Sequence, residues 1–346
     1  MTKTLLAVDG NSLIHRSFHA LFGTNLRTGD GRATWAVKGA LSQILGAVQR
    51  SNADAIVIGF DDAGNNSRKI AHPTYKANRS EKPADLTDQL ALAVDVFRDA
   101  GLHVVVPQGL EADDVLASAA ATATTAGWHT VVCTSDRDSF ALINDTTSVL
   151  RIINGGVEAS PVLTPERLRI LVGIDPQQYR QYAAMRGDTS DNLVGIHGIG
   201  EKTAVRILNV FGSVEAAFAD VDTNAGQRVA AEVGKAVVKK LADPAGREAF
   251  WRNVEIMTMR TDIDLGIDLD APFGEALLPL DAGDLAGALA GVEMHSLQGL
   301  ARQMLTWSPD QPTPAHSGVT VTIPSAAAAV LEAAAADVEQ DALTLF

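Results

Sequence analysis

The chain has 346 residues, of which 46% are hydrophobic, and a formal net charge of −14. That length allows two domains and a tail, and no stretch approaches the ~18 apolar residues of a membrane span. Cys133 is the one cysteine, which excludes an intrachain disulfide and a cysteine-rich zinc site.

Met1 leads directly into an apolar run at 4–8 with no room for a signal peptide, so a cytoplasmic protein is expected. Short β-rich runs at 4–8, 55–60, 103–106, 130–134 and 149–153 alternate with amphipathic helical patterns at 37–49, 86–100 and 113–126. Continuous apolar strands alternating with helices predict an α/β fold with a central, mostly parallel sheet covered on both faces. Cys133 falls inside the fourth run, where a free cysteine packs as a small buried residue. From about Thr164 the pattern becomes helical and glycine-punctuated, which predicts a second domain. Beyond Trp307 the proline-containing run and the poly-alanine stretch have linker and tail composition. The expected division is therefore 1–175, 176–305 and 306–346.

An acidic total is unusual for a nucleic-acid binder, but the charge is unevenly placed. The last Lys or Arg is Arg302, and five carboxylates follow it. Nine further carboxylates are accounted for by metal ions below, so the acidity is compatible with DNA binding.

Those nine fall at strand ends and helix starts. Asp9 closes the first strand, Asp61 the second, and Asp136 and Asp138 follow the fourth. Glu111, Asp113 and Asp114 open the helix after the third strand, and Asp188 and Asp191 come later at i, i+3 spacing. Ligands of open α/β sheets bind at the carboxyl ends of strands. A lone acid there is usually a cap or a solvated residue. Asp113 or Asp114 can serve as such a cap, and Asp62 reads as a solvated loop residue. Many acids converging on one rim repel one another unless cations neutralise them. All-oxygen donors favour Mg²⁺ or Mn²⁺, and two such ions form a phosphodiester clamp. Phosphoryl chemistry on nucleic acid is the expected use.

Two further elements suit DNA. The run from Val194 to Ala204 is a glycine-rich hairpin opening a helix; Gly195, Gly198 and Gly200 let backbone N–H groups approach phosphate. Lys202, Thr203 and Arg206 follow on that helix. Backbone contact implies binding without sequence preference. A basic cluster, Arg68, Lys69, Lys76 and Arg79 with Tyr75 among them, lies in a long segment after Asp61. Long loops inside a domain are often functional, and here Lys76 and Arg79 are placed to hold the scissile phosphate and Tyr75 to stack on a base.

In this order the motifs resemble the bacterial 5′–3′ exonuclease and flap endonuclease family. The matching stretches are Val8-Asp9-Gly10-Asn11-Ser12, Phe60-Asp61 with Arg68 seven residues on, Tyr75-Lys76-Ala77-Asn78-Arg79, Glu111 through Ala117, Asp136-Arg137-Asp138, and Gly187 through Leu193 running into the hairpin. The resemblance implies a PIN-like nuclease domain at 1–175, with a helical arch around 62–85 through which a free 5′ strand passes. It also implies a helix–three-turn–helix domain at 176–305, its motif at about 187–210, holding duplex DNA and a K⁺ ion. The catalytic basic residues would be Lys76, Arg79 and Arg68, with Arg16 and His19 near the entrance. Val194 and His197 stand where relatives often have Pro and Lys, which implies weaker phosphate contact there. The implied activity is hydrolysis of DNA at 5′ flaps, gaps, nicks or 5′ ends, in Okazaki-fragment processing and repair. A stand-alone monomeric nuclease is expected, since no polymerase domain follows. A haloacid-dehalogenase-type phosphatase would need an acid where Asn11 stands. A non-catalytic DNA binder would have lost metal ligands, and a PIN-type ribonuclease would be shorter. The final residues Gln340, Leu343, Leu345 and Phe346 resemble the linear motif by which bacterial replication proteins dock on the sliding clamp.

Overall fold

The computed structural model describes residues 2–64 and 66–306. In chain order, the first half runs β1 (Thr4–Asp9), α1 (Gly10–Leu21), α2 (Trp35–Ser51), β2 (Ala55–Gly59), α3 (Ser67–Ala71), α4 (Ala84–Asp99), β3 (His103–Val105), α5 (Ala112–Thr125), β4 (His129–Thr134), β5 (Thr147–Arg151), α6 (Gly156–Ala159), β6 (Val162–Leu163) and α7 (Pro165–Val172). The second half adds α8 (Tyr179–Arg186), a small hairpin of β7 (Gly187–Asp188) and β8 (Leu193–Val194), then α9 (Glu201–Phe211), α10 (Val214–Thr223), α11 (Gln227–Glu232), α12 (Lys235–Ala242), α13 (Pro244–Ile256), α14 (Ala282–Gly291) and α15 (His295–Leu305).

The apolar runs pair as a sheet of order β3-β2-β1-β4-β5-β6, parallel except for β6. Alternate side chains serve opposite faces. Leu5, Ala7, Val57 and Val132 pack toward α5 and the helices of the second half. Leu6, Val8, Ile58 and Cys133 pack toward α1, α2 and α4. Each buried Leu, Ile or Val contributes roughly 1.5–3 kcal/mol, so burial on both faces fixes the strands and their register. From β1 the chain moves outward to β2 and β3, then crosses back to β4 on the other side of β1 and on to β5. A crevice therefore opens at the carboxyl ends of these strands.

The helical second half shares a core with the first. Met1–Trp307 form one compact unit, and the core on one face of the sheet continues from Leu5 into Tyr179 and Phe250. Residues 276–278 return to the sheet, with Leu278 N–H bonded to Asp54 O at 2.9 Å and Ala276 O accepting Ile56 N–H at 2.8 Å. After them α14 and α15 pack on α4 and α2, burying Leu285, Leu289, Leu297 and Leu305 against apolar faces left open by the first half. Composition alone could not reveal that return.

One expectation needs correction: the helical arch at 62–85 is mostly not helical. It contains α3, five residues long, followed by turns and an extended stretch. Pro73 and Pro83 disfavour helix at themselves and at the residues before them. This segment is called the strap below. The proposed clamp-docking residues Gln340, Leu343, Leu345 and Phe346 lie outside the described residues.

Candidate active site

The strands deliver carboxylates to the crevice and the backbone aims them. Asp9 ends β1 and caps α1, accepting Ser12 N–H at 2.8 Å on one oxygen. Thr134, the last residue of β4, donates its hydroxyl to the other Asp9 oxygen at 2.7 Å. The Thr134 oxygen accepts Asp136 N–H at 3.0 Å, and Asp136 accepts Asp138 N–H at 2.9 Å. Asp61, just past β2, accepts Asn11 Nδ2 at 3.0 Å and Ala112 N–H at 2.9 Å.

Asp9, Asp61, Glu111, Asp113 and Asp136 line one cavity of about 750 Å³, whose wall also holds Lys76, Arg79, His15, Arg16, His19 and Lys82. Asp138 and Asp191 lie in an adjoining crevice that shares Glu111 and Asp113. Asp188 lines a groove along the β7–β8 hairpin with Gly195. Eight of the nine expected carboxylates thus border one connected region or the hairpin beside it.

Asp114 is the exception. It is fully buried and receives both guanidinium nitrogens of Arg68, at 2.6 and 2.7 Å, plus the N–H groups of Glu111 and Arg260. With both oxygens engaged, it caps α5 and anchors Arg68. Arg68 is likewise not positioned for phosphate. Its remaining N–H groups go to Glu111 and to the carbonyls of Ile256 and Thr258, so it is a buried tie between α5, the strap and the end of α13. Tyr75 does not stack outward either; it is 5% exposed and its hydroxyl donates to Glu111 at 3.1 Å.

Lys76 and Arg79 do reach the cavity. Lys76 Nζ bonds Glu111 at 2.7 Å, and Arg79 pairs with Asp191. Although burial opposes it, Lys76 with Arg68 and Asn66 holds the Glu111 carboxyl below its usual range. The other acids go the opposite way. Burial, then the charges of Asp61 and Asp136, push Asp9 up to about 7. Burial, then Asp136, Asp191 and Asp188, push Asp138 up to about 8. Burial and neighbouring acids raise Asp113 and Asp136 as well. At the same cavity, burial and then Lys82, His19 and Arg79 lower His15 to about 4. The cavity lining therefore carries both acids and cations. Among the described residues, no three of these side chains already stand in a ligating cluster; Glu111 and Asp191 are drawn to the strap cations instead.

Arg16 lines the cavity and donates to Asn154 at 2.9 Å. In the hairpin, Gly195 is required by packing. A Cβ there would fall 2.2 Å from Met185 O. Gly198 has φ +75°, a left-handed value that favours glycine, and its carbonyl accepts Lys240 Nζ. Gly200 caps α9, with Lys202 and Thr203 in the first turn. The sequence assigned no site role to His15, Lys82 or Thr134, and none to Asn11 beyond its place in the motif after the first strand. Asn11, His15 and His19 recur at i, i+4 and i+8 on α1, a stripe directed at the strand ends that spacing could have revealed.

Comparison with known proteins agrees with the fold. Residues 4–170 match the family model for the 5′–3′ exonuclease N-terminal resolvase-like domain, and 174–275 match its C-terminal SAM fold. DNA polymerase I of Mycobacterium tuberculosis is 36% identical over 262 residues, 76% of this chain and 28% of that protein. The thermostable DNA polymerase I of Thermus aquaticus is 35% identical over 264 residues, covering 76% and 29%. The chain thus spans under a third of the length of these relatives. Among solved structures, bacteriophage T5 5′-exonuclease with bound zinc has a TM-score of 0.58 at 21% identity, covering 74% of this chain and 89% of that one. The catalytic core of Rad2 in complex with DNA substrate has a TM-score of 0.55 at 16% identity, covering 89% and 93%. With its PIN-like sheet and its helical second half both matched, the chain belongs to the 5′–3′ exonuclease family, a family of nucleases.

Proposed function

We propose that the chain is a structure-specific 5′ nuclease that hydrolyses phosphodiesters of flapped, gapped or nicked DNA with divalent cations. The observation that carries this reading is the cavity itself, which strand-end carboxylates line together with Lys76, Arg79, Arg16 and Lys82. The donor set fits Mg²⁺ or Mn²⁺. It is all oxygen, and four of its members, Asp9, Asp113, Asp136 and Asp138, hold protons more tightly than usual through burial and mutual repulsion. A cation relieves both causes. Asp9, Asp61, Asp113 and Asp136 would hold it at the rim, with Glu111, Asp138, Asp188 and Asp191 around them. Divalent ions bound there would supply charge stabilisation at the phosphate and an activated water.

The chain's own cations do the rest. Lys76 and Arg79 orient the scissile phosphate and stabilise charge that develops on it, exchanging their carboxylate partners for phosphate oxygens. Backbone N–H groups at the start of α9 hold duplex phosphates without reading bases.

The test is cleavage of 5′-labelled flap, gapped duplex, single strand and RNA, each with Mg²⁺ or EDTA. Cutting of the branched substrates with Mg²⁺ alone is expected. Tight flap binding without cutting under any divalent ion would make the protein a DNA-structure binder instead.

A further inference from the structure

Two segments more than a hundred residues apart hold each other at the edge of the cavity. From the strap, Asn78 Nδ2 donates to Thr189 O at 2.8 Å. From the loop between β7 and β8, Asn192 Nδ2 donates back to Thr74 O at 2.8 Å. Between these bonds, Lys76 N–H donates to Asp191 O at 2.9 Å, and Arg79 pairs with the Asp191 carboxylate. The arrangement is a reciprocal clasp, each side lending one amide side chain to the other's backbone. Lys76 and Arg79 both lie within or beside it. The loop it grips belongs to the hairpin that runs on into Gly195 and α9, the element suited to duplex phosphates.

We infer that Asn78 and Asn192 are positioning residues that make the placement of Lys76 and Arg79 depend on the hairpin. This rests on the nuclease reading above. Under it, duplex seated on the hairpin sets the two cations at the scissile phosphate. The chemistry of the clasp suits that role. Lys76–Glu111 and Arg79–Asp191 are ion pairs, which an arriving phosphate competes for. The amide-to-carbonyl bonds carry no net charge. They persist while the cations change partners, and so fix the strap backbone during the exchange.

The experiment removes the clasp and spares the cations. Asn192 has φ 58°, so Asn192→Gly keeps the left-handed backbone without strain; Asn78→Ala removes the other amide. Single-turnover cleavage at saturating enzyme is measured on flap duplex and on single strand with Mg²⁺, DNA affinity by titration, and Lys76 amide protection by hydrogen exchange. The double variant should cut the flap about tenfold more slowly, the loss of a few neutral hydrogen bonds. Its flap affinity and single-strand rate should stay within about twofold, and its Lys76 amide should exchange faster. In a Lys76→Ala, Arg79→Ala background the same changes should cost nothing further, which a merely structural role would not produce. Asn78→Ala alone carries the same signs should the double variant fail to fold. A wild-type flap rate, equal losses on flap and single strand, or an unchanged Lys76 amide would each overturn the inference. Wild-type protein that cuts none of the substrates would overturn the nuclease reading instead.

Discussion

The rim of the sheet and the strap border one cavity, but they are held by different means. At the rim, Asp9 and Asp61 are aimed by the strand-end hydroxyl of Thr134 and by backbone N–H groups at the starts of the following helices, those of Ser12 and Ala112. On the strap, four side chains converge on a single acid. Glu111 receives Asn66 at 2.7 Å, Arg68 at 3.1 Å, Tyr75 at 3.1 Å and Lys76 at 2.7 Å. The rim is rigid because the core is packed behind it. The strap stays in place because charges and amides fasten it. Changes at the rim should therefore alter chemistry without moving the chain, whereas changes on the strap should alter placement as well.

The largest expected effect tests the rim. Asp136→Asn should cut single-turnover cleavage by about 10³-fold or more while flap affinity stays within a few-fold, because metal support is lost and the duplex contacts persist. Ordinary cutting with Mg²⁺ would end the metal reading of the rim. Next comes the strap anchor. Arg68→Ala leaves Asp114 buried without its partner and should cost about 3–5 kcal/mol, visible as a drop in denaturant midpoint. A small drop would mean the strap is fastened elsewhere.

Lys76→Ala or Arg79→Ala should slow the chemical step about 10²-fold with little loss of DNA affinity. Equal loss in both would reduce these residues to ordinary binding contacts. A pH series then sharpens the contrast. Asp9 and Asp138 have folded-state values raised to about 7 and about 8. In metal-free protein their contribution to stability is fully present below their ordinary range and is lost as pH rises through those values. Mg²⁺ competes with the same protons, so its stabilisation should be larger at about pH 8.5 than at about pH 6. A thermal shift with Mg²⁺ that is independent of pH would contradict that sign. The smallest effect is Tyr75→Phe, which removes one hydrogen bond to Glu111 and should cost about 1 kcal/mol. A much larger fall in cleavage than in stability would restore a direct role for the ring.

The rim was legible in the sequence because strand ends are. An apolar run that closes in Asp9, or is followed shortly by Asp136, specifies both the element and the end of the sheet at which its acid sits. The strap was legible only as a list of residue types. Arg68, Lys76 and Arg79 are all basic and close in sequence, yet Arg68 turns inward to Asp114 while the other two reach the cavity. That choice depends on Asp114 and on the carbonyls of Ile256 and Thr258, far along the chain. Tyr75 illustrates the same limit, since its partner Glu111 lies 36 residues away. The return of residues 276–305 to the first half was hidden for a related reason: the apolar faces of α2 and α4 state that a cover is needed, not which segment supplies it.

The inward turn of Arg68 has a consequence for how the molecule can be divided. The two matched family segments meet between residues 170 and 174, which invites production of the first alone. Such a fragment would retain Asp114 and Arg68 but lose the carbonyls at the end of α13, and it would bare Phe140 where Tyr179 now packs at 5.3 Å between ring centroids. The junction is a seam in ancestry and not in matter. A truncated first half would be expected to show sticky apolar surface and a loosened strap, so failure of such a piece to cut DNA would say nothing about the whole.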